Sequence, residues 1–324
     1  MRCTNRLCLH LMALSLLFFL CSTALAQQPL TLVELNCENL FDMRHDSLKQ
    51  DHEFLPGGAR RWTSYKYWAK LNAIGKALLA SSDELPDIVA LCEVEGDTVL
   101  HDLTRRSLLR NAGFSYLVTE SPDVRGIDVA LLYRPVRFRP LCYDFITVHP
   151  LPGMRPTRDI LYVKGRVVTG DTLHLFVVHA PSRYGGELPT RSHRLHVAEA
   201  LKAAIDSIGM SQNVIIAGDF NDYADSPALR YLTTHRLRNV TQQAKGRHGA
   251  RATYRYDGLW ASIDHILATP SAAKRVVDAY IGDAPFLLED DEKYGGQKPF
   301  RTFSGFRYHG GTSDHLPLVA RFRF

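Results

Sequence analysis

The stretch Ile215-Ile216-Ala217-Gly218-Asp219-Phe220-Asn221 is a short apolar run that passes through a glycine and stops on an acid and an amide. Such a run reads as a strand, over 213–218, with Asp219 and Asn221 at its end. The same pattern recurs along the chain. Ile88-Val89-Ala90-Leu91-Cys92 stops at Glu93, and Leu175-Phe176-Val177-Val178 stops at His179. Asn36 and Glu38 close the first strand in Leu35-Asn36-Cys37-Glu38-Asn39-Leu40-Phe41-Asp42. Asp264 lies in Ser262-Ile263-Asp264-His265, and Ser313-Asp314-His315 opens the last strand. One strand-ending Asp or Asn is more often a turn former or helix cap, because its side chain satisfies nearby backbone donors. Repetition at every major strand is different, since ligands and catalytic groups gather at strand ends in α/β sheets.

Other strand candidates are 31–36, 87–93, 116–119, 127–133, 160–168, 174–179, 262–267 and 316–324; helix candidates are 65–81, 97–111 and 189–207. In the last helix Leu195, Ala198, Leu201 and Ile205 recur at spacings of three and four, one apolar stripe. Several strands follow one another directly between Tyr116 and His179, so the order is not a strict βαβ repeat. The expectation is an α/β fold of two mixed sheets packed face to face with helices outside. No repeat or low-complexity linker divides residues 27–324, which read as one domain. Residues 283–312 show no periodicity and read as a long loop leading into Ser313-Asp314-His315.

The chain has 324 residues, 45% hydrophobic and 23% charged, which excludes coiled-coil, collagen-like and disordered classes. Its net charge of +5 includes no basic run, so nucleic acid is permitted but not demanded. Arg2 and Arg6 precede an apolar run from Leu7 to Leu20 that ends in Ala24-Leu25-Ala26. This reads as a signal peptide over 1–26, cleaved after Ala26, which places the rest of the chain as secreted or periplasmic. Lipoprotein anchoring at Cys21 is the less favoured alternative, because Leu20 is larger than the residue such a site takes. Removal of 1–26 leaves Cys37, Cys92 and Cys142, an odd count that excludes a disulfide-built scaffold. Cys37 and Cys92 read as small buried hydrophobes.

Carboxylates, amides and two histidines without a Ser or Cys nucleophile motif suit metal-assisted phosphoester hydrolysis. A hard divalent ion such as Mg²⁺ takes one or two carboxylates plus substrate phosphate and keeps several waters, and Glu93 and Asp314 supply those carboxylates. Asp219, with Asn221 beside it, has the role of orienting water available. Asp225, His193, His196, His235 and His248 read as caps or surface groups.

These residues, in order from Asn36 to His315, resemble the endonuclease/exonuclease/phosphatase superfamily, which includes secreted deoxyribonucleases, abasic-site endonucleases, neutral sphingomyelinases and inositol-polyphosphate phosphatases. Gly218-Asp219-Phe220-Asn221 and Ser313-Asp314-His315-Leu316-Pro317 carry the resemblance most specifically. It implies a four-layer α/β sandwich with its site at one rim of the two sheets. It implies Asn36 on phosphate or metal, Glu93 as principal metal ligand and Asp314 on metal, with Mg²⁺, Mn²⁺ or Ca²⁺ as the ion. It implies Asp219 and Asn221 holding water and phosphate, and His315 paired with Asp264. His179-Ala180-Pro181-Ser182 looks like the deoxyribonuclease segment that carries a second catalytic histidine, and Glu120 in Thr119-Glu120-Ser121-Pro122 like the acid that orients it. Nothing matches the residues by which the deoxyribonucleases enter the minor groove.

The leading functional expectation is a phosphodiesterase or endonuclease. A sphingomyelinase-like or inositol- or sugar-phosphate phosphatase is the alternative, and a noncatalytic binding module the reading from a different class. Retention of Glu93, Asp219 and His315 argues against the last. Arg301 and Arg307, in the loop over 283–312, are the expected substrate-binding cations. No protein partner is implied, and a monomer is expected.

Overall fold

The computed structural model describes residues 29–324, so the expected signal peptide lies outside the described residues. In chain order the strands are β1 (Leu30–Leu40), β2 (Ile88–Val94), β3 (Ser115–Val118), β4 (Asp128–Tyr133), β5 (Phe138–Ile146) and β6 (Ile160–Val167). They continue with β7 (Thr172–His179), β8 (Val214–Asp219), β9 (Arg238–Asn239), β10 (Tyr254–Tyr256), β11 (Leu259–Ala261) and β12 (Asp264–Ala268). The remainder are β13 (Val276–Ile281), β14 (Leu288–Asp290), β15 (Gln297–Pro299), β16 (Phe303–Ser304), β17 (Arg307–Tyr308) and β18 (Leu318–Phe322). The helices are α1 (Ser64–Ala80), α2 (Asp97–Arg105), α3 (Glu187–Ile208), α4 (Pro227–Thr234) and the short α5 (Pro270–Ala273).

Two six-stranded mixed sheets carry the fold, one ordered β13-β18-β1-β2-β4-β3 and the other β5-β6-β7-β8-β12-β9. Each contains one parallel pair, β1 with β2 and β7 with β8. Parallel neighbours need a long crossover, and α1 and α3 supply the two.

Alternation along the central strands sets the layers. Leu175 and Val177 of β7, with Ile215 and Ala217 of β8, point between the sheets and join Leu32 of β1 and Ile88, Ala90 and Cys92 of β2, whose thiol reaches the Val178 carbonyl. Phe176, Val178, Val214 and Ile216 point the other way and meet Leu201 and Ile205 of α3 and Leu229 of α4. Leu71, Ile74 and Leu78 of α1 cover the outer face of the first sheet. Strands covered on both faces show no polar alternation, which is why they read as continuous apolar runs. Burial of each such Leu or Ile contributes about 1.5–3 kcal/mol. The result is a four-layer sandwich, helix, sheet, sheet, helix, as the sequence pattern predicts.

Three expectations need correction. The helix expected over 97–111 ends at Arg105, where the N–H groups of Arg106 and Ser107 both turn to the Asp102 carbonyl and Ser107 Oγ bonds the Leu103 carbonyl. Strands β5 and β13 were not expected; both are sheet edges, and β5 is mostly exposed and contains Pro140. The segment 283–312 is a 3₁₀ turn followed by two small hairpins, β14 with β15 and β16 with β17.

Gly218, one residue before Asp219, lies where β8 passes closest to β7. A Cβ there would sit 1.8 Å from the Val178 carbonyl oxygen. Gly218→Ala is therefore expected to cost about 1–3 kcal/mol, as overpacking does, and to displace Asp219. Urea denaturation checks this, through a lowered midpoint at unchanged slope.

Candidate active site

Register places the chemistry. His179 of β7 pairs with Asp219 of β8, and Asp219 pairs with Asp264 of β12, so three ionisable residues form one row across three adjacent strands. Like charges directly opposite one another are destabilising. The row persists because it is surrounded by donors.

Asp219 is fully enclosed and has both oxygens engaged. Oδ1 accepts the Asn221 N–H at 2.7 Å; Oδ2 accepts Asn36 Nδ2 at 3.0 Å and Asn221 Nδ2 at 3.3 Å. The same Oδ2 lies 3.8 Å from His179 Nε2 and 4.0 Å from His315 Nε2. Asp264 holds His315: its oxygens lie 2.9 and 3.0 Å from His315 Nδ1, and Thr253 Oγ1 donates to Oδ2 at 2.5 Å. An Nδ1 so occupied leaves Nε2 as the working nitrogen.

The first sheet contributes the other half. At the ends of β1 and β2 the register slips, between Asn36 and Leu40 and again at Glu93. Bulges re-aim side chains, and here they coincide with left-handed backbone at Glu38 (φ 50°), Asn39 (φ 60°) and Glu93 (φ 60°), with Asn221 (φ 50°) facing them from the second sheet. Strained conformations of this kind collect at functional sites. Glu93 Oε2 accepts the Asn39 N–H at 2.9 Å, whereas Oε1 has only His179 Nε2 at 3.9 Å and Arg125 at 4.0 Å. Asp314 Oδ2 binds Arg301 at 3.0 Å, and its Oδ1 lies 4.0 Å from His315 Nε2. Glu93 and Asp314 thus each keep one oxygen without a hydrogen bond among the described residues, beside the amide of Asn36. That all-oxygen donor set fits a hard divalent ion.

A buried framework holds Asp314 in place. The N–H groups of Thr302 and Phe303 donate to Glu38, at 2.6 and 3.2 Å, and Arg301 Nε approaches Glu38 at 3.5 Å. Buried Lys70 of α1 donates to Thr302 Oγ1 and to the Thr312 carbonyl at 2.5 and 2.6 Å.

Burial and crowding shift the titrations. Burial, then the charge of Asp264, pushes the Asp219 carboxyl up to about 7. For His315 burial is the largest single influence and opposes the charge, but the charge and hydrogen bond of Asp264 together with the charges of Asp219 and Asp314 outweigh it and hold the imidazole well above its usual range. His179 is pushed well below it, by burial and then by Arg158. Glu34, one turn of the pleat before Asn36, is enclosed between the sheets with neither oxygen hydrogen-bonded among the described residues. Burial first, then Asp264 and Asp219, raises its titration well above the carboxylate range.

Of the residues expected from sequence, Asn36, Glu93, Asp219, Asn221, Arg301, Asp314 and His315 line one cleft of about 1260 Å³, with His179 and Asp264 directly behind Asp219. Two do not join them. Glu120 is exposed, and His179 Nδ1 is buried with no hydrogen-bond partner among the described residues. Thr119 Oγ1 and the Ser121 N–H both bind Asp128, which turns the intervening Glu120 outward. Arg307 is exposed on β17, away from the cleft lining, because the hairpin with β16 points it outward. Arg301 does line the cleft, yet it is engaged by Asp314 and Glu38.

Several cleft residues were not expected. Tyr254, Tyr256, Leu259 and Trp260 form a wall on the β10–β11 hairpin. Its turn, Asp257-Gly258, has positive φ at both positions (46° and 78°), and Asp-Gly between short aromatic runs is the sequence signal for it. Tyr254 also bridges to His315, ring to ring at 4.9 Å. Cys37 and Cys92 are buried free thiols, and Cys142 is an exposed one.

A sequence model of the Endonuclease/Exonuclease/phosphatase family matches residues 31–323, and the chain belongs to that family. It is a phosphoester hydrolase. Among solved structures it is similar to the mannosyl-6-phosphatase of Bacteroides thetaiotaomicron, at 17% identity, a TM-score of 0.61, and coverage of 91% of this chain and 100% of that one. The human nocturnin catalytic domain with bound sulfate gives 18% identity, a TM-score of 0.54 and coverage of 91% and 94%. A humanized Danio rerio TDP2 gives 17%, 0.57, and coverage of 91% and 99%. Among curated proteins none matches the sequence.

The opposite shifts of the two histidines are measurable in metal-free protein. Nitrogen-15 NMR of the imidazoles should show His315 doubly protonated and His179 neutral at pH 7, the first losing its proton early in Asp264→Asn. A neutral His315 at pH 7 in the wild type would contradict the assignment.

Proposed function

We propose that this chain is a secreted or periplasmic, Mg²⁺-dependent phosphoesterase that takes small phosphate esters carrying a ring or apolar group, ahead of polymeric nucleic acid. The observation that carries the choice is the cleft lining. Seven aromatic residues, Phe54, Tyr184, Tyr223, Tyr254, Tyr256, Trp260 and Phe303, line its walls around the acids of the floor. The arginines beside them are already committed: Arg183 to Asp222 at 2.9 Å and to the Tyr223 ring, Arg60 to Glu53 at 2.8 Å and to Phe54 and Phe303, Arg301 to Asp314. Arg125 is held only loosely, at 3.9–4.0 Å. A polymer bound through many phosphates needs many available cations. An aromatic-walled cleft with one loosely held arginine suits a ligand with one phosphate and a stacking face. The phosphosugar named for the Bacteroides neighbour is of that size, which supports the reading.

Glu93, Asp314 and Asn36 would hold the ion, which supplies charge neutralisation on the phosphoryl oxygens. Asp219, fixed by Asn36 and Asn221, orients the attacking water and takes its proton. Protonated His315, held by Asp264, donates from Nε2 to a phosphoryl or leaving oxygen. His179, buried, sets Nε2 between the two acids, 3.9 Å from Glu93 and 3.8 Å from Asp219, where an N–H would lower their mutual repulsion.

Phosphosugars, nucleoside monophosphates, sphingomyelin, inositol phosphates, DNA, RNA and chromogenic mono- and diesters, each with Mg²⁺, Mn²⁺, Ca²⁺ or chelator, form the test. Small esters should be turned over faster than polymers, and chelation should abolish hydrolysis reversibly. Asp219→Asn and His315→Ala should each lower turnover by about 10²–10⁴, the usual scale for general acid–base groups. Faster cleavage of DNA or RNA than of every small ester would reverse the substrate choice; full activity in excess chelator would remove the metal.

A further inference from the structure

Away from the cleft floor, the loop between β1 and α1 gathers His45, Asp51 and His52. One ring nitrogen of each imidazole and one Asp51 oxygen lie within 4.8 Å of one another. His45 Nδ1 is 2.5 Å from Asp51 Oδ1, and the two rings face each other with centroids 4.3 Å apart. Asp51 is 2% exposed and its other oxygen accepts the Asp46 N–H at 2.8 Å, so the carboxylate cannot swing away; the imidazoles reach solvent.

We propose that His45, Asp51 and His52 form a second metal site, distinct from the catalytic one, that takes a borderline divalent transition ion of the Zn²⁺ type with water completing the shell. Two imidazoles and one carboxylate are a donor set for such an ion, whereas Mg²⁺ and Ca²⁺ prefer oxygen alone. A tetrahedral site with bonds of about 2.0–2.1 Å puts its ligand atoms about 3.4 Å apart, which these exposed rings reach by small rotations. A histidine–aspartate hydrogen bond explains one ring; it does not explain the second imidazole tilted against the first, at 32°. The surroundings favour a cation. Asp42 and Asp46 crowd behind Asp51, and burial together with Asp42, Asp51 and Asp46 pushes Glu95 up to about 8.

Position gives the ion a task. Gln50 N–H bonds the Val124 carbonyl at 2.8 Å, and Lys49 Nζ bonds the Ser121 and Asp123 carbonyls, so one side of the loop is tied to the segment that carries Arg125. The other side runs through the 3₁₀ turn His52–Phe54 to Phe54, which stacks on Phe41 at 4.4 Å and lines the cleft under Arg60. An ion on His45, Asp51 and His52 clamps that loop, and with it one wall of the cleft.

The probe is Zn²⁺ alone, with Co²⁺ as its spectroscopic substitute. Full-length protein is loaded with one ion at a time and competed against a chromophoric chelator. The wild type should hold, beside any ion taken by the catalytic cleft, a Zn²⁺ that His45→Ala and His52→Ala each weaken by about 10²-fold or more, while Asp314→Asn retains it. Co²⁺ should give visible d–d bands that vanish with either histidine. Both histidines are at the surface, so the variants fold, and circular dichroism verifies that. Zn²⁺ affinity unchanged in both histidine variants, or lost only in Asp314→Asn, or absent from the wild type, overturns the proposal.

Discussion

Everything in the site follows from one row of side chains. His179, Asp219 and Asp264 occupy matched positions on β7, β8 and β12, with Glu34 beneath them and Glu93, Glu38 and Asp314 approaching from the other sheet. So many acids in one buried strip cannot all ionise unaided, since each charge raises the cost of the next in a low dielectric. The chain answers in two ways. It raises the titration of Glu34 by burial, and it surrounds the rest with oriented donors: the amides of Asn36 and Asn221, the imidazole of His315, and the backbone N–H groups of Asn39, Asn221, Thr302 and Phe303. Charge left over on Glu93 and Asp314 is what a divalent ion would neutralise.

The framework around the row is built to hold that charge still. Asn36, on β1, reaches across the gap between the sheets to Asp219, on β8, so the two sheets cannot slide without breaking the site. Lys70 and Glu38 pin the strand-like segment that presents Asp314, and Arg194 of α3, fully buried, meets Asp222 just beyond Asn221 at 3.2 Å. Removing one member of such a buried pair typically costs about 3–5 kcal/mol, because the other is left uncompensated. Rigidity here serves the chemistry, which depends on groups being in place before the substrate arrives.

Legibility in the sequence tracks burial. The central strands announced themselves as apolar runs because both faces are covered, and the acids at their ends stood out against that background. Edge strand β5 did not, since an exposed strand carrying Pro140 lacks both the apolar run and the alternation, and in β13 Asp278 interrupts the apolar residues where the register shifts. The pairing of His315 with Asp264 came from family resemblance, and the register of β8 against β12 supplies its geometry. Glu120 was misread because an acid after a strand carries no directional information; the bonds of Thr119 and Ser121 to Asp128 turn it to solvent. Glu34 is one polar residue in an otherwise apolar strand, and only the packing of two sheets makes it a fully buried acid. The aromatic wall was written in Tyr-Asp-Gly-Leu, a two-residue hairpin signal, though nothing local said that this hairpin would stand over the cleft.

The central claim is that crowding keeps Asp219 partly protonated until a cation arrives. Isothermal titration of Mg²⁺ into metal-free protein at about pH 6.5, in buffers of different ionisation enthalpy, counts the protons released on binding. With Asp219 at about 7, the account predicts a release of roughly half a proton or more per ion, falling away above pH 8 and largely lost in Asp219→Asn. Heats that do not depend on the buffer, or the same release in Asp219→Asn, would contradict it.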